Sequence, residues 1–324
     1  MSLTILAGAE AQAARSVTSD WFDRRLNRPA GWAEATTGVA VRRFVDGETA
    51  SDLGTRAGAE ALARAGLRAE DLSAVIGASG VGEQPIPAFA VLVHRKLGLG
   101  NSGIPAFDMN ATCLSFLLAL HHAALMIAAG EWQHVLIVSA DIASAALDPD
   151  DPETGPLFGD GGAAVVLGPG PGGVEAFSLR TYSTGAEAAW LGAGGSRLPA
   201  RDLPALLAEA TFRMDGRAAF RVASDHIGPF FEDLLARAGW QRDKIDLIVP
   251  HQASGRALDL MVRRLRLDPA RVMRTLHDGG NLVATSLPTT LIRAMEAGRT
   301  PPGSRVLLIG TGAGVSLGGV CLTL

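Results

Sequence analysis

Cys113, His251 and Asn281 are the residues of this chain whose types and settings could carry covalent chemistry. Cys113 lies between an extended run, Ile104–Met109, and an apolar stretch from Leu114 to Ala129 that contains no Gly or Pro and is closed by Gly130. That pattern reads as a short strand handing over to a buried helix. Unpaired backbone N–H groups and the positive end of the helix dipole at such a junction favour a thiolate, and a thiolate is a nucleophile. A small buried hydrophobe is the competing reading of a lone cysteine. His251 follows the apolar run Asp246–Pro250 and so stands at the carboxyl end of a strand, where ligands and catalysis gather in α/β sheets. Asn281 sits in the glycine-rich loop His277–Asn281 ahead of another helix. A satisfied loop histidine and a helix N-cap are the ordinary alternatives for these two.

The elements around them repeat. Ala59–Ser79 reads as helix, turn and buried strand, and Glu232–His251 reads the same way, each turn carrying Ala-Arg-Ala-Gly. Gly130 before the strand Val135–Ala140 corresponds to Gly298 before Val306–Thr311. The separations Gly130–Gly298 and Cys113–Asn281 are both 168 residues. On that register Asn281 holds in the second half the place Cys113 holds in the first, each opening a central helix. Helix–strand alternation at this spacing implies βαβ units, mostly parallel sheet and helices on the sheet faces.

A chain of 324 residues exceeds the usual single domain and suits two halves. With 48% hydrophobic residues, 39 glycines and 19% charged residues it has the make-up of an α/β enzyme rather than of a disordered or fibrous protein. A net charge of −4 gives no reason to expect nucleic acid as a partner. Its two cysteines, Cys113 and Cys321, rule out a disulfide framework and point to a reducing, cytoplasmic setting. The opening Met1–Gly8 lacks the basic segment and apolar length of a signal peptide. Leu114–Ala129, interrupted by His121 and His122, is shorter than the roughly 20 apolar residues of a membrane span and reads as a core helix.

Ala-Thr-Cys113, His251-Gln-Ala-Ser254 and Gly-Asn281, in that order, resemble the Cys/His/Asn sites of the β-ketoacyl-ACP synthase III family of thiolase-superfamily condensing enzymes. Trp32 before Thr37-Gly-Val, Phe158–Leu167, Met214–Phe220 and Gly310–Gly319 extend the likeness from about residue 30 to the end. The resemblance implies a thiolase-like, five-layered αβαβα fold of two pseudo-symmetric halves, residues 1–172 carrying Cys113 and 173–324 carrying His251 and Asn281. It implies an acyl-Cys113 intermediate, with an oxyanion hole from the backbone of Cys113 and of the Gly312–Gly314 loop. Decarboxylative condensation with malonyl-ACP follows, its enolate held by His251 and Asn281. Acyl-CoA or acyl-ACP thioesters are then substrates, no further cofactor or metal is expected, and the partners are an acyl carrier protein and a second copy of the chain. Acyl transfer to an oxygen or nitrogen acceptor, non-decarboxylative condensation and a catalytically silent partner subunit are the alternatives.

The resemblance also implies substrate contacts at Trp32, Ile86, Gly216 and Ser254, and carrier docking at Arg221 and Arg256. Further arginines, Arg217, Arg263, Arg264 and Arg266, flank those two, and a solvated helix face is their plain alternative. The chain departs from the family pattern in several places. Thr36 and Pro152 stand where arginines around CoA phosphates are expected, and Ser254 replaces an asparagine. Losing those arginines removes charge-assisted phosphate contacts. Ile86, in the loop Gly82–Ala88 expected to reach a partner's acyl channel, replaces an aromatic residue or the glutamate of non-decarboxylative relatives, although Glu83 is near. Channel depth is expected to depend on Phe89, Ile104, Phe116 and Leu157. Gly310–Gly319 imitates a dinucleotide loop, but a strand pattern follows where a Rossmann fingerprint needs a helix. His121 and His122 read as core or interface residues, Cys321 as packing, and Asp141 as a turn or cap.

Overall fold

The strand Gly161–Thr181, 21 residues long, runs through two packed sheets and hydrogen-bonds them into one continuous eight-stranded array. The computed structural model describes residues 1–199 and 201–324. The first half of the long strand pairs antiparallel with Ser2–Gln12 on one side and Val135–Asp141 on the other. The order continues, now parallel, through Ala74–Gly77 to Ala106–Asp108. Its second half pairs antiparallel with Ser316–Thr323, which pairs antiparallel with Arg305–Gly312, which pairs parallel with Leu247–Pro250. Val272 bridges Ile248 in parallel, much as Ala106 does Val75 in the other sheet.

Alternation along these strands builds the layers, because successive side chains point to opposite faces. Ala74 and Ile76 join a central core, whereas Val75 joins an outer one with Leu53, Ala57 and Ala61 of the helix Ala50–Ala65. In the second sheet Val306 and Leu308 face the central core, and Leu307 and Ile309 face the helix Gly216–Ala238 through Phe230, Phe231 and Leu234. Between the sheets lie the helices Ser115–Ala128 and Ser286–Glu296, which share that central core. The result is the five-layered αβαβα order. Ser115–Ala128 is apolar on nearly every side because sheets cover both of its faces; burying each of Phe116, Leu117 and Leu120 completely contributes about 1.5–3 kcal/mol.

Local signals end the outer helices where the repeat places them. Gly66 and Gly239 terminate Ala50–Ala65 and Gly216–Ala238 in the left-handed region at φ 69° and 66°, a conformation glycine adopts without a Cβ penalty. Thr49 and Asp52 form a capping box at the start of the former. His121 stacks on Phe177 with 4.1 Å between ring centroids, and His122 meets Phe107 and Trp132 edge-on. Cys321 is fully buried. The segment after Gly314 is the strand Ser316–Thr323, as its pattern predicts.

Three expectations change. The sheet is mixed rather than mostly parallel, because the long strand Gly161–Thr181 pairs antiparallel with each of its neighbours and Arg305–Gly312 pairs antiparallel with Ser316–Thr323. Asn281 does not open its helix directly: a 3₁₀ turn, Val283–Thr285, intervenes before Ser286, because Val283 takes φ 52°. Arg266 lies outside the helix Gly255–Leu265, as its left-handed C-cap.

Candidate active site

Cys113 is half-buried at the end of a strained turn. Thr112 before it adopts φ 52°, which for a β-branched residue costs of order 1–3 kcal/mol and persists only when the surroundings fix it. They do so here. The Thr112 N–H donates to Asn110 Oδ1 at 2.8 Å, and Asn110 Nδ2 donates to the Gly80 carbonyl at 3.0 Å. Ser115 Oγ donates to the Thr112 carbonyl at 2.6 Å and accepts from the Ala111 N–H at 3.0 Å.

His251 is 5% exposed and enters the site from the end of Leu247–Pro250. Its N–H donates to the Ile309 carbonyl at 2.8 Å. Gly310 lets it approach, since a Cβ there would lie 2.7 Å from His251 Cβ and 3.1 Å from Leu114 Cδ2. The next residue, Gln252, is buried and bonded throughout: Nε2 donates to the Pro250 and Met273 carbonyls, Oε1 accepts from the Thr275 and Leu276 N–H groups, and its N–H donates to Ser286 Oγ. Gln252 therefore ties the histidine loop to the segment that precedes Asn281. Asn281 Oδ1 accepts from the Val283 N–H at 2.9 Å, and Nδ2 donates to the Ala253 carbonyl at 3.2 Å. This fixes the amide orientation and leaves one Nδ2 hydrogen for a ligand.

Burial governs the charge states. It pushes the Cys113 thiol up to about 12, the Asp141 carboxylate adds to the rise, and the backbone amides of Ala313 and Cys113 oppose it. The helix-end thiolate expected from the sequence is thus outweighed by desolvation, and the resting residue is a thiol. Burial also lowers His251 to about 4, so the imidazole is neutral at pH 7, with Nδ1 buried and unpartnered. Alkylation of Cys113 by iodoacetamide, followed by peptide mass spectrometry, should therefore still be accelerating at pH 9. A plateau near pH 7 would overturn this.

A cavity of about 1210 Å³ opens over these groups. Cys113, His251, Asn281, Gly216, Ser254, Gly312 and Gly314 all line it. Trp32 and Ile86 do not: Trp32 packs beneath the Arg28 guanidinium, 5.1 Å from the ring centroid, and Ile86 is 85% exposed at a loop tip. Arg221 and Arg256 are exposed and outside the lining, whereas Arg263 and Arg264 reach its rim. The Gly216 N–H donates to Glu153 Oε1 at 2.9 Å, and Ser254 Oγ accepts from the Ala257 N–H at 3.2 Å as a helix cap. Of the residues expected to set channel depth only Leu157 faces the cavity; Phe89 and Phe116 are locked in the cores.

Three contributors take their part in the site from the fold. Within the Gly312–Gly314 loop, the backbone amide against the Cys113 sulfur is that of Ala313; Gly312 permits close packing, since a Cβ would lie 2.7 Å from Thr112 Oγ1. A main-chain donor has no side-chain signature. Asp141 is a buried carboxylate beside the site rather than a plain cap. Gln252 was visible in its motif, but its bonding was not.

Residues 107–192 match the family model described as 3-oxoacyl-[acyl-carrier-protein] synthase III, residues 235–324 match its C-terminal counterpart, and residues 33–147 match the thiolase N-terminal domain. A β-ketoacyl-[acyl-carrier-protein] synthase III of Streptomyces coelicolor is 35% identical over 95% of this chain and 93% of its own. The chain belongs to the β-ketoacyl-ACP synthase III family. An acetoacetyl CoA synthase of a Streptomyces species is 36% identical, covering 96% of this chain and 92% of that protein. The crystal structure of the 3-oxoacyl-(acyl carrier protein) synthase III of Pseudomonas aeruginosa superposes with a TM-score of 0.89 at 32% identity, over 100% of this chain and 98% of the other. The layered architecture is thus the thiolase-like fold of acyltransferase-type condensing enzymes.

Proposed function

We propose that the chain condenses an acyl thioester with malonyl-ACP, releasing CO2, through an acyl-Cys113 intermediate. The observation that carries this reading is a single cavity lined by a thiol, a neutral imidazole and an oriented amide. Cys113 Sγ attacks the acyl carbonyl, the old C–S bond breaks, and the carrier thiol leaves with the Cys113 proton. The Cys113 and Ala313 N–H groups face the oxygen that becomes negative. Malonyl thioester then binds with its thioester oxygen toward His251 Nε2–H and the free Asn281 Nδ2 hydrogen. Its carboxylate leaves as CO2, and the resulting enolate carbon attacks the acyl-cysteine. The C–S bond to Cys113 breaks, and the sulfur takes up a proton from solvent. A neutral His251 donates one hydrogen bond without having to lose a charge afterwards.

The same reading takes the acyl donor as carrier-linked rather than CoA-linked. Thr36 and Pro152 supply no charge for CoA phosphates, and the loop around Pro152 is acidic, with Asp148, Asp150, Asp151 and Glu153. Asp150 also engages Arg25 at 2.7 Å. Each missing guanidinium–phosphate bond weakens binding by roughly 1.5–3 kcal/mol, about tenfold or more. A phosphopantetheine arm lacks the adenosine phosphates and loses nothing. Intact-protein mass spectrometry should show Cys113 acylated at least about tenfold faster by acyl-ACP than by an equal concentration of the same acyl-CoA. Equal rates would return the donor to CoA.

Glu83 lines the cavity, but Oε2 accepts the Ser51 N–H at 2.7 Å, which favours the decarboxylative reading over one that needs a free base. The assignment also includes a cytoplasmic homodimer in which the exposed loop around Ile86 meets the second copy. It divides the work between residues 1–172, which bring the nucleophile, and 173–324, which bring His251 and Asn281. Among the described residues no helix is long and apolar enough to cross a membrane.

A further inference from the structure

We infer that Asp141 is a positioning residue that holds the Cys113 turn and the Asn281 turn in register with each other. The inference rests on the assignment of Cys113 and Asn281 made above. Asp141 ends the strand Val135–Asp141, is 2% exposed and, among the described residues, has no salt-bridge partner. Its two oxygens face the two halves of the site. Oδ1 accepts the Gly80 N–H at 2.7 Å, and the Gly80 carbonyl accepts Asn110 Nδ2, whose Oδ1 holds the Thr112 N–H. Oδ2 accepts the Thr285 N–H at 3.0 Å and Thr285 Oγ1–H at 2.8 Å. Thr285 closes the turn that begins at Val283, whose N–H orients the Asn281 amide.

The backbone supports the same reading. Thr112 and Val283, neither of them glycine, both sit at φ 52°, and each lies within two residues of a proposed catalytic side chain. They come close at Gly80, where an added Cβ would fall 2.5 Å from Val283 Cγ1, 3.3 Å from Asp141 Oδ1 and 3.8 Å from the Thr112 carbonyl carbon. Two strained turns from different halves thus approach one glycine, Val283 closely enough to leave no room for a Cβ, and the carboxylate beside it bonds both sides. A helix cap would need only one of these sets of donors. The charge has a cost as well, because Asp141 disfavours the Cys113 thiolate. The other titratable groups of this part of the cavity are Glu83, bonded to Ser51, Glu48 and neutral His251.

The test is Asp141→Asn, with two readouts taken on the folded protein. Condensation turnover should fall at least about tenfold, because an amide cannot accept both sets of donors. Iodoacetamide alkylation of Cys113 should move the opposite way, rising about threefold or more at pH 8. Because burial pushes Asp141 up to about 6, the parent carboxylate is charged above that pH and neutral below it, so the two alkylation profiles should converge below pH 6. A merely loosened site would also expose the thiol, but it would accelerate alkylation below pH 6 as well as above it. The convergence of the two profiles is therefore what assigns the effect to the Asp141 charge. Condensation within threefold of the parent, or unchanged alkylation, would overturn the inference. If Asp141→Asn does not fold, Thr285→Val removes one donor to Oδ2 and keeps Cys113 as it is. Turnover should then fall about three- to tenfold with alkylation unchanged, and an unaltered turnover would overturn the inference. A parent enzyme that forms no acyl-Cys113 would instead refute the site assignment.

Discussion

Replacing Cys113 with alanine should leave the protein folded and abolish acyl-enzyme formation. The side chain is half-buried in a cavity wall rather than packed in a core, so losing the sulfur opens little new space. Its turn is fixed by Asn110 and Ser115, which the substitution leaves in place. The parent should gain one acyl group in intact-mass measurements and the variant none. Product formation should fall by at least about a thousandfold, the scale on which removal of a nucleophile acts. Malonyl decarboxylation should survive better than condensation, since the groups that hold the enolate do not depend on the thiol. Full condensation by Cys113→Ala would remove the acyl-cysteine mechanism.

His251→Ala should give the complementary result: the acyl adduct forms and then waits. The donor lost is one of two aimed at the enolate oxygen, and removing such a group from a dry site costs about 10²–10³ in turnover. Single-turnover experiments on preloaded acyl-enzyme separate this step from acylation. A variant that condenses normally, or one that cannot be acylated, would contradict the role. The pH dependence carries a second signature. Burial lowers His251 to about 4, below its ordinary value of 6.5. The folded state therefore binds fewer protons than the unfolded state between those values, and stability falls as the pH drops through that window. The shift corresponds to about 3 kcal/mol. Denaturant titrations at pH 7.5 and 4.5 should show a smaller acid loss in His251→Ala than in the parent; equal losses would place the sensitivity elsewhere.

Much of this was legible in the amino-acid order, because its causes are local. Ala-Arg-Ala-Gly at residues 63–66 and 236–239 ends two helices through a glycine that accepts positive φ. The apolar run after Cys113 had to be a helix covered on all sides, and the strands before Gly77 and His251 had to be buried on both faces. The ordered Cys, His and Asn motifs carry the resemblance to the family in the sequence itself. What the order could not carry depends on groups brought together across the fold. The Ala313 amide has no side chain to announce it. The thiol state of Cys113 and the neutrality of His251 are set by desolvation, which depends on the neighbours that pack around each group. Gly216 and Ser254 line the cavity, yet their polar atoms are engaged by Glu153 and Ala257. Asp141 reads in sequence as the last residue of a strand; only the meeting of the two halves, at residues 144 apart in the chain, makes it a joint between two strained turns.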